Sequence, residues 1–133
     1  LCIPLLIVYR WRPVGVNVIV GLAIAHIAGE ILIKHLVCRV RPCHKLEDED
    51  LIVQRPRYYS FPSGHTTSSF AVLAVIFLRL GGPITIVVAL VAFTIAFSRI
   101  YLRVHYLTDV LFGMVLGSVC GTLSVRLLEQ MGF

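Results

Sequence analysis

Residues 14–33 read VGVNVIVGLAIAHIAGEILI, an apolar run interrupted only by Asn17, His26 and Glu30. A helix needs about 20 residues to cross the hydrocarbon core of a bilayer, so this run reads as a complete membrane span. Both flanks agree. Ahead of it, Arg10, Trp11, Arg12 and Pro13 put cations and an aromatic at an interface, with a proline suited to the first helical turn. Behind it, Arg41-Pro42 disfavours helix at Arg41 and opens a polar loop to Pro62 that contains the acidic run Glu47-Asp48-Glu49-Asp50.

The rest of the chain repeats the theme. Thr66 to Leu80 is apolar after a polar first turn, Gly81-Gly82-Pro83 imposes a tight turn, and Ile84 to Tyr101 is apolar again, so the pair reads as a helical hairpin. A last apolar segment runs from Leu107 to Leu128. Leu1 to Tyr9 is too short to cross a bilayer and reads as the tail of an earlier span. The expected fold is an all-α, polytopic transmembrane bundle, one domain over residues 1–133 that is incomplete at its N-terminus, with five helical segments counting that tail.

Composition supports this. Apolar residues make up 58% and charged ones 14%, against about 45–50% and about 25% in soluble domains. With a mean hydropathy of +0.90, a disordered tail, a coiled coil or a nucleic-acid arm is excluded despite the net charge of +5. The basic excess therefore calls for a membrane or an anionic ligand, and no nucleic-acid partner is expected. Cys2, Cys38, Cys43 and Cys120 are too few and too scattered for a disulfide framework. Gly113, Gly117 and Gly121 share one face of the last helix and admit a close backbone, within the monomer in the first reading and across a dimer seam in the second. The oligomeric state stays open.

Alternating spans bring the loop ending at Pro62, the helix start after His65 and the Ser98–His105 connection to one side of the membrane. Lys34, Arg41, His65, Arg99, His105 and Asp109 thus gather at one face. Ionisable groups near or inside spans are functional candidates, because burying them alone is expensive. Lys34, Arg41 and Arg99 suffice to neutralise a phosphate and the charge that develops during its transfer, with no metal or other cofactor. Pro62-Ser63-Gly64-His65 opens a helix, so Ser63 reads as an N-cap and Gly64 lets an anion approach the free backbone N–H groups. His105 and Asp109, four apart, share a helix face, so the carboxylate can accept from one imidazole nitrogen and leave the other to attack; His65 is left as the acid.

Other polar residues read as structural. Glu30 is an i,i+4 partner that holds Lys34, in preference to a proton relay, and His26 is a hydrogen-bonded residue of the span. Thr66, Thr67, Ser68 and Ser69 are a hydrated helix start, and the acidic run is a solvated loop. Cys38, Cys43, His35 and His44 match no common zinc spacing, so no metal site is assigned. Arg57, Tyr58, Tyr59 and Phe61 read equally as a lipid entrance or an aromatic interface belt.

Lys34, six residues, then Arg41-Pro42; Pro62-Ser63-Gly64-His65; and Ser98-Arg99, five residues, His105, three residues, Asp109 resemble, without gap or substitution, the three signature motifs of the type 2 phosphatidic acid phosphatase (PAP2) superfamily. The resemblance implies a membrane-embedded, metal-independent lipid phosphatase with a six-helix core, whose first helix is missing or reduced to Leu1 to Tyr9. By position, Lys34, Arg41 and Arg99 bind phosphate with help from Ser63 and Gly64. His105 attacks phosphorus to form a phosphohistidine, Asp109 orients it, and His65 protonates the leaving oxygen. The partners implied are a lipid phosphate and the surrounding lipids. Compact size and short loops resemble bacterial members, which makes undecaprenyl pyrophosphate the first substrate and phosphatidate or phosphatidylglycerol phosphate the alternatives. Once Lys34, Arg41 and Arg99 are set aside as catalytic, cation counts do not orient the chain; the resemblance implies an extracytoplasmic active face. Vanadium haloperoxidases share the motifs but are soluble. A transport or assembly subunit using Glu30 and His26 leaves His105, Asp109 and the Pro-Ser-Gly-His turn without a purpose.

Overall fold

A computed structural model describes residues 11–45 and 59–132. The tail Leu1 to Tyr9, the acidic run, Arg57 and Tyr58 lie outside the described residues. Helix α1 (Arg12–His26) starts with proline in its first turn, as expected. It does not end at Ile33. The chain continues through a π-helical stretch, Ile27–Ile33, into a short α2 (Lys34–Val37), which Cys38 closes in the left-handed region at φ 49°. The N–H of Lys34 bonds the Gly29 carbonyl five residues back, a wider turn than that of an α-helix. A single 3₁₀ turn, Pro42–Lys45, follows. Then come α3 (Gly64–Arg79), α4 (Gly82–Tyr101) and α5 (Leu107–Gln130), within two residues of the expected limits. The π stretch was not legible in the apolar pattern, which fits either helix type.

Among the described residues, three stretches are long and apolar enough to cross a membrane: Arg12–His44, Gly82–Tyr101 and Leu107–Gln130. Helix α3, at 16 residues about 24 Å long, lies between the others, packing on α1, α4 and α5. Val14 and Val18 of α1 meet Val75 and Ile76 of α3 and Val125 of α5. Phe70 of α3 packs with Ala92 and Ala96 of α4 and Val110 of α5. The opposite face of α4 carries Ile86, Leu90, Phe93 and Phe97, all exposed, a surface suited to lipid and not to water.

The glycine stripe of α5 faces α3. A Cβ on Gly117 would overlap the Thr67 carbonyl oxygen, and one on Gly121 would overlap that of Ala71. The stripe therefore serves packing within the monomer, the first of its two readings. Thr66 and Thr67 are buried in this seam and are not hydrated as expected, while Ser68 and Ser69 bond the His65 carbonyl. At one end of the bundle two backbone bonds tie the connections together. Ser60 N–H donates to Arg39 O at 2.8 Å, and Ser63 N–H donates to Asp109 O at 3.1 Å.

Candidate active site

His105 is delivered by the turn between α4 and α5. The Arg99 carbonyl accepts from the N–H groups of both Val104 and His105, each at 3.3 Å, so the backbone of one motif residue holds another. The His105 ring is 5% exposed. Its Nδ1 lies 2.7 Å from the Ser60 carbonyl and its Nε2 lies 3.1 Å from Arg41 Nη1. A carbonyl only accepts and a guanidinium only donates, so these two partners assign the proton to Nδ1 and the lone pair to Nε2. The unprotonated nitrogen is Nε2, on the side of Arg41.

The expected bond from imidazole to Asp109 is replaced at closest range by the Ser60 carbonyl. Asp109 Oδ2 stands 3.7 Å from His105 Nδ1, beyond direct hydrogen-bond reach, and accepts the Tyr106 N–H at 2.9 Å. That bond closes the first turn of α5. Asp109 Oδ1 accepts from Arg39 Nη1 at 2.7 Å, and the same Nη1 donates to Thr108 Oγ1 at 2.7 Å. Arg39 also lies over the Tyr106 ring, 3.9 Å from its centroid. Asp109 is completely buried, so this neighbouring cation offsets part of the desolvation that a lone carboxylate would suffer.

Lys34, 4% exposed, is gripped by both oxygens of Glu30, at 2.7 and 2.6 Å, the structural pair read from the sequence. Arg41, 7% exposed, donates to the Val104 carbonyl at 3.2 Å as well as to His105. His65, in the first turn of α3, is exposed with its ring toward the same space. A cavity of about 460 Å³ is lined by Glu30, Lys34, Arg41, Gly64, His65 and His105 at its polar end and by Leu22, Ala25 and Gly29 further along α1 and the π stretch. His26 lines it too and is exposed; among the described residues it has no hydrogen-bond partner, contrary to expectation.

Two expected phosphate ligands stand apart from this cavity. Ser63 is the N-cap of α3 with extended backbone, but its buried hydroxyl meets Thr66 Oγ1 at 2.9 Å and makes no cap bond. Its N–H is committed to the Asp109 carbonyl. Arg99 is half-buried, with Nε bonded to Ser98 Oγ at 3.2 Å; its charge acts on His65 and Arg41 across the site without lining the cavity.

Sequence reasoning missed Arg39 and Ser60. An arginine two positions before Arg41 carries a visible charge, but its partner is 70 residues away. The Ser60 group that matters is a backbone carbonyl, which has no signature in side chains.

A family model for the PAP2 superfamily matches residues 14–132. Among curated proteins, the undecaprenyl-diphosphatase of Sulfolobus acidocaldarius is 34% identical over 61 residues, 46% of this chain and 29% of that protein, so the match spans less than a third of the relative's length. Two crystal structures superpose closely. LpxE of Aquifex aeolicus gives a TM-score of 0.76 at 31% identity, covering 91% of this chain and 72% of that one. A transmembrane PAP2-type phosphatidylglycerolphosphate phosphatase from Bacillus subtilis gives 0.76 at 25% identity, covering 96% and 64%.

Proposed function

Because the chain belongs to the PAP2 superfamily, we propose that it is a membrane-embedded phosphatase that removes the terminal phosphate from a lipid phosphate or pyrophosphate. The observation that carries this reading is the orientation of His105. Its Nδ1–H is bound to Ser60 O, and its Nε2 lone pair faces a cavity whose near wall is cationic and whose far wall is apolar. Phosphate fits the first wall and a lipid chain the second.

Lys34 and Arg41 draw the phosphoryl oxygens toward Nε2, with Arg99 adding positive charge from outside the cavity lining. As phosphate arrives, Arg41 transfers a hydrogen bond from Nε2 to a phosphoryl oxygen and frees the lone pair. Nε2 forms a bond to phosphorus while the bond from phosphorus to the lipid oxygen breaks, and His65 gives that oxygen its proton. Neutral His65 then takes a proton from water as the water oxygen attacks the phosphohistidine, releasing inorganic phosphate. Asp109, fixed by Arg39 and the Tyr106 N–H, stabilises the positive charge on His105 during both steps. The three cations neutralise charge in the role a metal plays elsewhere.

The proposed first substrate is undecaprenyl pyrophosphate, supported by the diphosphatase among the relatives, and the proposed active face is extracytoplasmic. Phosphate release by the purified protein from a panel of undecaprenyl pyrophosphate, phosphatidate and phosphatidylglycerol phosphate tests the activity and ranks the substrates. Release from at least one is expected, with undecaprenyl pyrophosphate fastest. Release from none contradicts the activity, and a faster turnover of another lipid contradicts the substrate.

A further inference from the structure

Glu30 does more than hold Lys34. Its carboxylate is 30% exposed and lines the same cavity as Lys34, Arg41, His65 and His105. It also lies so close to the first residue of α3 that a Cβ on Gly64 would overlap Oε1. An anion thus already stands between the ammonium of Lys34, which the proposed function assigns to phosphate, and the backbone of Gly64, which the sequence motif assigns to it. The π stretch carries it there: Glu30 lies within Ile27–Ile33 and Lys34 immediately follows.

We infer that Glu30 is a specificity-determining residue: its carboxylate fills the phosphate position in the free site, so a ligand binds only by displacing it from Lys34 and Gly64. The inference rests on the function proposed above and adds a consequence for the choice of ligand. A terminal phosphate, with up to two negative charges, gains more from Lys34 and Arg41 than one carboxylate does. A phosphodiester headgroup carries a single charge and gains no advantage over the resident Glu30. Bilayers present phosphodiesters in great excess, and the resident carboxylate keeps them out of the cationic end of the cavity. If Glu30 occupies the position in about nine molecules of ten, its neutralisation tightens anion binding about tenfold.

The test is inhibition of the full chain by vanadate, and separately by phosphatidylglycerol, with phosphatidylcholine at equal micellar fraction as the control. Glu30→Gln removes the charge and keeps the shape; Glu30→Asp keeps the charge but is too short to reach Gly64. Both are expected to bind vanadate more tightly, Glu30→Gln by about tenfold, and both should become sensitive to phosphatidylglycerol. Either variant suffices if the other does not fold. A residue that merely positions Lys34 predicts the opposite sign, so unchanged or weaker vanadate inhibition overturns the inference and leaves the phosphatase reading intact. Tighter vanadate binding without new sensitivity to phosphatidylglycerol overturns the discrimination against phosphodiesters. Wild-type protein that is insensitive to vanadate contradicts the proposed function, and this inference falls with it.

Discussion

Arg39 and Asp109 are joined across 70 positions of sequence by a 2.7 Å bond between a partly exposed guanidinium and a carboxylate with no solvent exposure. The pair links the loop after α2 to the first turn of α5 and fixes the group 3.7 Å from the His105 imidazole. In the proposed mechanism Arg39 is therefore a positioning residue that acts through Asp109. Arg39→Ala should lower kcat with little change in KM and reduce thermal stability. In an Asp109→Asn background the same substitution should do much less, with a coupling of about 1–2 kcal/mol in a double-mutant cycle. Additive effects would show that the bond is not part of the catalytic arrangement.

The seam between α3 and α5 depends on the absence of a side chain at Gly117. Gly117→Ala should destabilise the bundle by about 1–3 kcal/mol, the usual range for overpacking, since the Thr67 carbonyl cannot move without α3. Ser118→Ala, on the neighbouring half-buried position, should stay within about 1 kcal/mol. Thermal unfolding in one detergent compares them, and equal melting temperatures for Gly117→Ala and wild type would contradict the seam.

Burial sharpens the test of sidedness. Cys38 is exposed, whereas Cys43 and Cys120 are buried. A membrane-impermeant thiol reagent added to intact cells expressing a Cys2→Ser background should label Cys38 alone if the active face is extracytoplasmic, and Cys38→Ser should abolish the signal. Labelling of Cys38 only after permeabilisation would reverse the orientation.

Lys34, Arg41 and Arg99 provide the charge neutralisation in the proposed mechanism, so hydrolysis should survive excess chelator. Activity lost in chelator and restored by magnesium or zinc would refute the metal-independent route.

The helices were legible because three of the apolar runs are close to bilayer length and because proline and glycine punctuate them at Pro13, Pro42 and Gly81-Gly82-Pro83. The gathering of Lys34, Arg41, His65 and His105 followed from alternating spans alone, and the motifs supplied their roles. What escaped was local geometry. Nothing in the run 27–33 distinguishes π from α winding, so the approach of Glu30 to Gly64 could not be read. The i,i+4 spacing of His105 and Asp109 suggested a direct bond, but the Ser60 carbonyl, brought in by a loop that pairs with Arg39, takes the closer position. Ser63 was assigned by its place at a helix start, yet its hydroxyl is drawn into the buried seam by Thr66.

The central claim is that His105 attacks and His65 donates the proton, and the dependence on leaving group separates them. With a lipid phosphate, both His105→Ala and His65→Ala should be severely impaired, the second by about 10²–10⁴-fold as expected for loss of a general acid. With a nitrophenyl phosphate, whose oxygen leaves without protonation, His65→Ala should recover most of the rate of the first step, seen as a burst of nitrophenol, and accumulate acid-labile, histidine-bound phosphate because the water-activating base is missing. His105→Ala should recover nothing and trap none. Equal losses in the two variants on both substrates, or labelled phosphate trapped on His105→Ala protein, would contradict the account.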